Sequence, residues 1–279
     1  MSKKEKSSTV GRGIEREQIC RALDLQRNIL VEGPVGVGKT FLVQQILKGR
    51  KQGYERVDGD SRYTEQKLTG WFDPPLVLKK GYSKATFLDG PLVTAMREGR
   101  VLFINELNRM PEAVQNILLP AMDERHISIP KIGVVVAKPG FAVVATQNPR
   151  EFTATHSLSE ALLDRFEMIR LEYQSEAEER EILQAQSGQG LDGATLSRAL
   201  YLVRATRHHP SIKRGASIRA ALAVCQLVGS GIDFRSAVFM ALPGRIEMVA
   251  SDQDARTVLA DILDKGAPTG SAEKKNQKT

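Results

Sequence analysis

The chain has 279 residues, of which 41% are hydrophobic and 26% are charged, and its formal net charge at pH 7 is +7. These proportions are ordinary for a globular protein and exclude a mainly disordered or fibrous chain, and the length predicts about two domains. The sequence has no run of about 18 apolar residues and no apolar stretch near its start. We therefore expect no membrane insertion, no secretory signal and a cytoplasmic location.

Predicted strands alternate with predicted helices over the first part of the chain. Short apolar runs that are typical of buried strands occur at 28–32, 101–104 and 141–146, and further strands are predicted near 54–57 and at 167–171. Between them, helical spacing predicts helices over 40–48 and 111–124 and a short helix that ends near Arg165, and a hairpin is expected around 126–137. This alternation predicts an α/β domain with a five-stranded parallel sheet.

The pattern changes after about Glu172, where helical spacing continues without a strand signal. Predicted helices lie near 176–187, 194–207, 215–229, 233–241 and 252–264. We therefore predict an α/β domain over 10–173 and a small all-helical domain over 174–265. The lysine-rich ends, 1–9 and 266–279, are expected to be disordered tails. Because these tails carry much of the positive charge, the charge alone does not demand a nucleic-acid partner.

A glycine-rich segment after the first predicted strand matches the phosphate-binding pattern G-x-x-x-x-G-K-[ST] at every fixed position. Its glycines let the backbone wrap a phosphate chain, and the helix that follows directs its positive end toward the anion. Lys39 supplies a mobile charge for the β- and γ-phosphates, and the Thr40 hydroxyl is placed to ligate Mg²⁺. The residues predicted to bind nucleotide here are Gly33, Pro34, Val35, Gly36, Val37, Gly38, Lys39, Thr40 and Phe41.

Polar residues also end the predicted strand at 101–104, where Asn105 and Glu106 follow the run VLFI. Glu106 is the candidate general base that polarises the attacking water, and with Thr40 it is a candidate metal residue. Many phosphate-loop enzymes have aspartate where this chain has Asn105. An asparagine can accept a hydrogen bond from a metal-bound water but contributes no charge, so we expect lower metal affinity or slower turnover.

In these residues the chain resembles the MoxR family of AAA+ ATPases, relatives of the magnesium-chelatase ATPase subunit. The resemblance runs from about Val10 to Leu263 and rests on blocks that occur in the family's order: VEGPVGVGKT, VLFINELNRMPEAVQNILLPAMDE, ATQNP, LSEALLDRF and GASIRAAL. It implies a P-loop AAA+ domain that binds ATP and Mg²⁺ and hydrolyses ATP, followed by a helical lid. It also implies inserts near 68–90 and 126–138, for which ordinary surface loops are the alternative.

The resemblance implies roles for residues outside the loop as well. Asn148 matches the sensor-1 position, whose amide contacts the γ-phosphate or the attacking water, although an asparagine before Pro149 can also simply form a turn. Arg165 matches the arginine finger, which acts on the nucleotide of a neighbouring subunit. The alternative for Arg165 is a surface arginine paired with Asp164.

Two further assignments rest on the resemblance. Arg219 matches sensor 2, a residue of the helical domain that reaches back to the nucleotide, and its alternative is a solvated arginine at a helix start. Val10 and Gly11 match the adenine pocket with weaker specificity.

The leading hypothesis for the function is an ATP-driven machine that assembles as a ring, commonly a hexamer, with hydrolysis at subunit interfaces. The resemblance implies chaperone-like remodelling, or cofactor or metal insertion, in a client protein, often one with a von Willebrand factor A domain. An alternative is a nucleic-acid motor or a subunit of a DNA-targeting complex, for which Lys79, Lys80 and Lys84 form a basic cluster. A slowly hydrolysing ATP-dependent switch is a second alternative, because Asn105 replaces the usual aspartate.

Overall fold

The computed structural model describes residues 10–148, 156–187, 192–250 and 252–266. The predicted tail 1–9 and residues 267–279 of the second predicted tail lie outside this part of the chain. The chain divides into two compact units, Met1–Tyr173 and Gln174–Thr279. Within the described ranges, no helix combines the length and the apolar character needed to cross a membrane.

The first unit is built around a five-stranded parallel sheet, as the sequence predicts. Its strands, together with those of two antiparallel ribbons, are β1 (Ile29–Glu32), β2 (Tyr54–Asp58), β3 (Gly70–Phe72), β4 (Phe87–Asp89), β5 (Val101–Asn105), β6 (His126–Ile129), β7 (Gly133–Val136), β8 (Ala142–Gln147) and β9 (Glu167–Arg170). The order across the sheet is β2-β5-β8-β1-β9, and each neighbouring pair is parallel. The ribbons pair β3 with β4 and β6 with β7, the latter being the predicted hairpin.

Helices connect these strands. They are α1 (Gly13–Asp24), α2 (Lys39–Lys48), α3 (Glu65–Thr69), α4 (Pro74–Lys80), α5 (Pro91–Glu98), α6 (Glu112–Asn116), α7 (Leu118–Asp123) and α8 (Glu160–Leu163). The single helix predicted over 111–124 is wrong in one respect, since α6 ends at Asn116 and α7 begins at Leu118. Pro120 explains the break, because proline has no N–H and its ring clashes with the carbonyl four residues earlier, that of Asn116.

Hydrophobic cores cover both faces of the sheet, which is why its three inner strands, β5, β8 and β1, are largely continuous apolar runs. Side chains alternate between the faces along each strand. In β5, Val101 and Phe103 belong to the core that contains Leu42 of α2, whereas Leu102 and Ile104 belong to the core that contains Leu92 of α5. The two cores fix the strand register, because a shift by one residue would exchange the faces.

The register brings polar strand ends to one edge of the sheet. Asp58 pairs with Asn105 across β2 and β5, and Glu32 pairs with Gln147 on one side and Arg170 on the other. All these residues lie at the carboxyl ends of parallel strands, the edge at which open α/β sheets bind ligands. The fold therefore places the glycine-rich loop after β1 and the polar pair after β5 at the same edge.

The second unit is mainly helical. Its helices are α9 (Glu176–Gln186), α10 (Gly193–His208), α11 (Ile218–Gly229), α12 (Phe234–Ala241) and α13 (Ala255–Lys265). They enclose a separate core that includes Leu183, Leu200, Val224 and Leu259. The prediction that this unit is all-helical is wrong in one respect. Its described residues also contain a short antiparallel ribbon, in which β10 (Ile212–Arg214) pairs with β11 (Glu247–Met248). Strands of two or three residues are too short to show a periodic pattern in the sequence.

Candidate active site

The loop between β1 and α2 contains glycines that meet two different physical needs. Gly36 and Gly38 have φ values of +81° and +92°, in the left-handed region that favours glycine. Gly33, with φ at +157°, permits a close backbone approach, since a Cβ there would collide with the carbonyl oxygen of Leu171 after β9. The loop is thus both curved and pressed against the end of the sheet.

Helix α2 begins at Lys39, directly after this loop, and Gly38 is its N-cap residue. Other helices of the chain have a side-chain cap, as Ser159 provides for α8 and Asp192 for α10. Gly38 has no side chain to cap the first N–H groups, and the first turn of α2 contains no acidic residue. Such a helix start directs N–H donors and the positive end of the helix dipole at the loop, which suits a phosphate.

The Lys39 ammonium lies over the same loop. Its Nζ donates hydrogen bonds to the carbonyl oxygens of Gly33 at 2.6 Å and Pro34 at 2.8 Å. The positive charge is therefore held at the segment that is predicted to wrap an anion.

Three of the predicted elements meet in one hydrogen-bond network. Thr40 Oγ1 at the start of α2 donates to Asn105 Oδ1 at 2.6 Å, and Thr146 Oγ1 of β8 donates to the same oxygen at 3.1 Å. Thr146 Oγ1 also accepts from the backbone N–H of Glu106 at 2.9 Å. The structure thus brings the predicted metal residues Thr40, Asn105 and Glu106 together, and it adds Thr146, which the sequence analysis did not identify.

Asp58 is a second residue that the sequence analysis missed. It ends β2 beside Asn105, and its Oδ1 accepts from Asn105 Nδ2 at 2.9 Å. Arg56 donates to both carboxylate oxygens, from Nη2 at 2.7 Å and from Nε at 3.1 Å. The hydrogen bond from Arg56, with that from Asn105, lowers the pKa of Asp58 despite partial burial, and the bond to Asp58 raises the pKa of Arg56. A carboxylate therefore lies next to the asparagine.

Glu106 has an unusual backbone for a glutamate. Its φ of +60° and ψ of +54° are left-handed, a conformation that costs a residue with a side chain about 1–3 kcal/mol and that clusters at functional sites. Gly59 packs against this turn, since its N–H donates to the Asn105 carbonyl at 2.7 Å and a Cβ on it would collide with the Glu106 carbonyl. The Glu106 carboxylate forms an ion pair with Arg109 at 3.0 Å.

These donors fit a Mg²⁺ ion that is bound together with a phosphate ligand. The hydroxyl of Thr40, the amide oxygen of Asn105 and the carboxylate of Glu106 are all hard oxygen donors, the type that Mg²⁺ prefers. In the part of the chain that the structure describes, no group of three or more His, Cys, Asp or Glu side chains could hold a metal. A Mg²⁺ ion at this edge would therefore need phosphate oxygens and water as further ligands, as is usual for this ion.

Two buried charged residues beside the loop were also missed by the sequence analysis. Arg12, 7% exposed, donates from Nη2 to the carbonyl oxygens of Val37 at 3.3 Å and Glu172 at 2.5 Å. Glu32, 9% exposed, accepts from Gln147 Nε2 and from Arg170 Nε, each at 3.1 Å. Arg12 directly follows Val10 and Gly11, so the residues assigned to an adenine pocket are joined to the loop through Arg12.

Arg165 lies at the amino ends of the parallel strands, opposite the edge that holds the phosphate loop. It precedes β9, and its carbonyl accepts from Asn28 Nδ2 at 3.5 Å just before β1 begins. Its guanidinium is paired with Asp123, to which Nε donates at 2.8 Å, rather than with Asp164 as the alternative supposed. The four residues of β1, a rise of about 13 Å, separate this position from the loop of the same chain. The structure therefore does not bring Arg165 to its own phosphate loop.

The remaining predicted residues lie in different places. Asn148 is buried directly after β8, and its carbonyl accepts from Asn108 Nδ2 at 3.3 Å. Phe41 is exposed in the first turn of α2. Arg219 is an exposed residue of the second unit in the first turn of α11, and its sensor-2 role stays a prediction.

A comparison with protein families matches residues 28–166 to the AAA domain (dynein-related subfamily). Uncharacterised proteins of Staphylococcus epidermidis, S. aureus and S. haemolyticus are each 34% identical to this chain, over 151, 152 and 152 residues. The aligned part is 53–54% of this chain and 57% of each relative, so the chain spans little more than half the length of those relatives.

A crystal structure of a candidate ATPase from Cytophaga hutchinsonii has the same fold, with a TM-score of 0.52. The identity is 22%, and the match covers 93% of this chain and 91% of the other. The family match covers the glycine-rich loop, the Asn105–Glu106 pair and Arg165. Residues 28–166 therefore match an AAA domain of the dynein-related subfamily, and the chain has the α/β P-loop AAA+ fold.

Proposed function

We propose that this chain is a MoxR-like AAA+ ATPase that binds ATP at residues 33–41 and hydrolyses it in a Mg²⁺-dependent reaction. The observation that carries the proposal is the 2.6 Å hydrogen bond from Thr40 Oγ1 to Asn105 Oδ1. It joins the phosphate loop to the end of β5, so that the anion-binding backbone and the candidate base Glu106 belong to one rigid edge. The MoxR assignment is supported by the blocks of sequence described above.

Each residue has a specific part in the proposed reaction. The backbone of the loop and the start of α2 bind the phosphates, and Lys39 neutralises charge that develops on them. Mg²⁺, when bound, supplies further neutralisation of the phosphate oxygens. Glu106 accepts the proton of the attacking water, and its fixed left-handed turn sets the direction of the carboxylate. Asn148 orients the water or the γ-phosphate through its side-chain amide.

We further propose that the active form is a homo-oligomeric ring and that this ring is a hexamer. The position of Arg165 supports this, because it lies at the opposite edge of the sheet from its own loop and is oriented there by Asp123. In a head-to-tail assembly, this edge of one protomer meets the nucleotide edge of the next. We also propose that this ring performs chaperone-like remodelling of a client protein, such as one with a von Willebrand factor A domain.

Binding of ATP is tested by calorimetry with the Lys39→Ala variant. We expect this change to weaken ATP binding by about 10- to 100-fold, because it removes a charged donor from the phosphate site. Lys48→Ala is the matched control, since Lys48 is an exposed lysine in the last turn of the same helix. Equal ATP affinity of the native chain and Lys39→Ala would contradict the proposed site.

A further inference from the structure

Asp58 is an acidic residue at the site to which the proposed reaction assigns no part. Its Oδ1 accepts from Asn105 Nδ2 at 2.9 Å and from Arg56 Nη2 at 2.7 Å. Asp58 and Asn105 are register partners across β2 and β5, so the sheet itself fixes their contact. Asn105 in turn contacts Thr40, the predicted metal ligand, through its other end.

The two ends of an asparagine amide have the same shape and opposite chemistry. The hydroxyl groups of Thr40 and Thr146 can each donate or accept, so they do not decide which end of the Asn105 amide faces them. A carboxylate can only accept. The contact with Asp58 therefore requires the NH₂ end of Asn105 on its side, and the amide oxygen is left facing Thr40.

We propose that Asp58 is a positioning residue that fixes the amide orientation of Asn105, so that the oxygen and not the NH₂ group faces the Mg²⁺ side of the site. The proposal rests on the Mg²⁺–ATP function proposed above. The negative charge beside the NH₂ group also polarises the amide and strengthens its oxygen as an acceptor. Asp58 and Asn105 together thus supply an oriented acceptor and a nearby negative charge, which a single aspartate supplies in many phosphate-loop enzymes.

The test measures binding of the β,γ-imido analogue of ATP by calorimetry, once with Mg²⁺ and once with EDTA. Asp58→Asn keeps the shape of the side chain but provides a partner that either end of the Asn105 amide can contact. We expect the gain in affinity that Mg²⁺ gives to fall about tenfold, while the affinity in EDTA stays unchanged. Asp60→Asn is the matched control, because Asp60 accepts from the backbone N–H of Arg62 and not from Asn105.

A second background separates orientation from a general structural effect. In Asn105→Ala there is no amide to orient, and Asp58 keeps its charge. If Asp58 acts through the orientation of that amide, adding Asp58→Asn to Asn105→Ala should leave Mg²⁺-dependent binding unchanged. The same substitution should therefore lower the Mg²⁺-dependent gain in the native background and have no effect in the other.

The proposal is overturned if Asp58→Asn binds the analogue like the native chain, or if Asp58→Asn lowers the Mg²⁺-dependent gain by the same factor in Asn105→Ala as in the native background. If the native chain binds the analogue, Lys39→Ala does not and Asp58→Asn matches the native chain, this inference alone fails. If the native chain does not bind the analogue even with Mg²⁺, the proposed function fails and this inference fails with it.

Discussion

Gly33 and Gly38 belong to the same sequence motif, yet their surroundings differ. A Cβ on Gly33 would collide with the backbone of Leu171, whereas a Cβ on Gly38 would have nothing within 4 Å. Gly38 is required only for its φ of +92° and for access to the start of α2. The pattern of the motif predicts that both are glycine, but the reason for each depends on the packing of the loop against β9.

Alanine substitutions should separate these two reasons. We expect Gly38→Ala to lower the free energy of unfolding by about 1–2 kcal/mol, the cost of a left-handed conformation. Gly33→Ala should cost more, since it adds a collision with backbone that cannot move without shifting β9. Urea unfolding of both variants measures the difference, and an equal or larger loss for Gly38→Ala would contradict this account.

Other residues of the site differ in how far sequence could identify them. Lys39, Thr40, Asn105 and Glu106 lie in short motifs with fixed spacing, so the sequence could identify them as candidates, and the structure brings them to the same edge of the sheet. Asp58 could not be predicted in the same way. It lies 47 residues before Asn105 in the chain, and only the pairing of β2 with β5 makes the two neighbours.

At the scale of elements, the packing of α9 against α10 depends on a buried carboxylate. Glu179 of α9 is 2% exposed and accepts from two arginines of α10. Arg207 contacts it through Nη1 at 3.0 Å and Nη2 at 2.8 Å, and Arg204 through Nη1 at 2.9 Å. A buried ion group of this kind is costly to break, because the remaining charges lose their partner in a dry environment.

Removing the charge of Glu179 should therefore destabilise the second unit. We expect Glu179→Gln to reduce its free energy of unfolding by about 3–5 kcal/mol. Glu181→Gln, an exposed change two residues along the same helix, should stay within about 0.5 kcal/mol of the native chain. Thermal unfolding followed by circular dichroism compares the two, and similar stabilities for both variants would show that the ion group adds little.

Elements of the fold were predictable where they are long or fully buried. The inner strands of the main sheet, β5, β8 and β1, are largely continuous apolar runs, and α2 and α10 have clear helical spacing. The region between β2 and α5 was not predicted, since α3, β3, α4 and β4 are only three to seven residues long. Their positions depend on contacts such as Gly70 against the Leu88 carbonyl and the buried Thr86, which accepts from the Ser83 backbone N–H at 3.0 Å.

For the whole molecule, the two edges of the sheet have different chemistry. The carboxyl edge holds the phosphate loop and Glu106, and the amino edge holds Arg165 beside a cleft of about 320 Å³ that is lined by residues such as Arg27, Arg125 and Asp123. A reaction that needs both the loop and Arg165 cannot be completed within one sheet of this kind. This separation supports the proposed ring, because neighbouring protomers can bring opposite edges together.

Mixing two inactive variants tests the central claim, that Glu106 of one protomer and Arg165 of another complete one active site. We expect Arg165→Ala and Glu106→Gln each to bind ATP and to lose most ATP turnover when measured alone. In an equal mixture, turnover should recover to about a quarter of the native rate, since random assembly pairs an intact Glu106 with an intact neighbouring Arg165 at that fraction of interfaces. No recovery in the mixture, or native turnover by Arg165→Ala alone, would contradict the account.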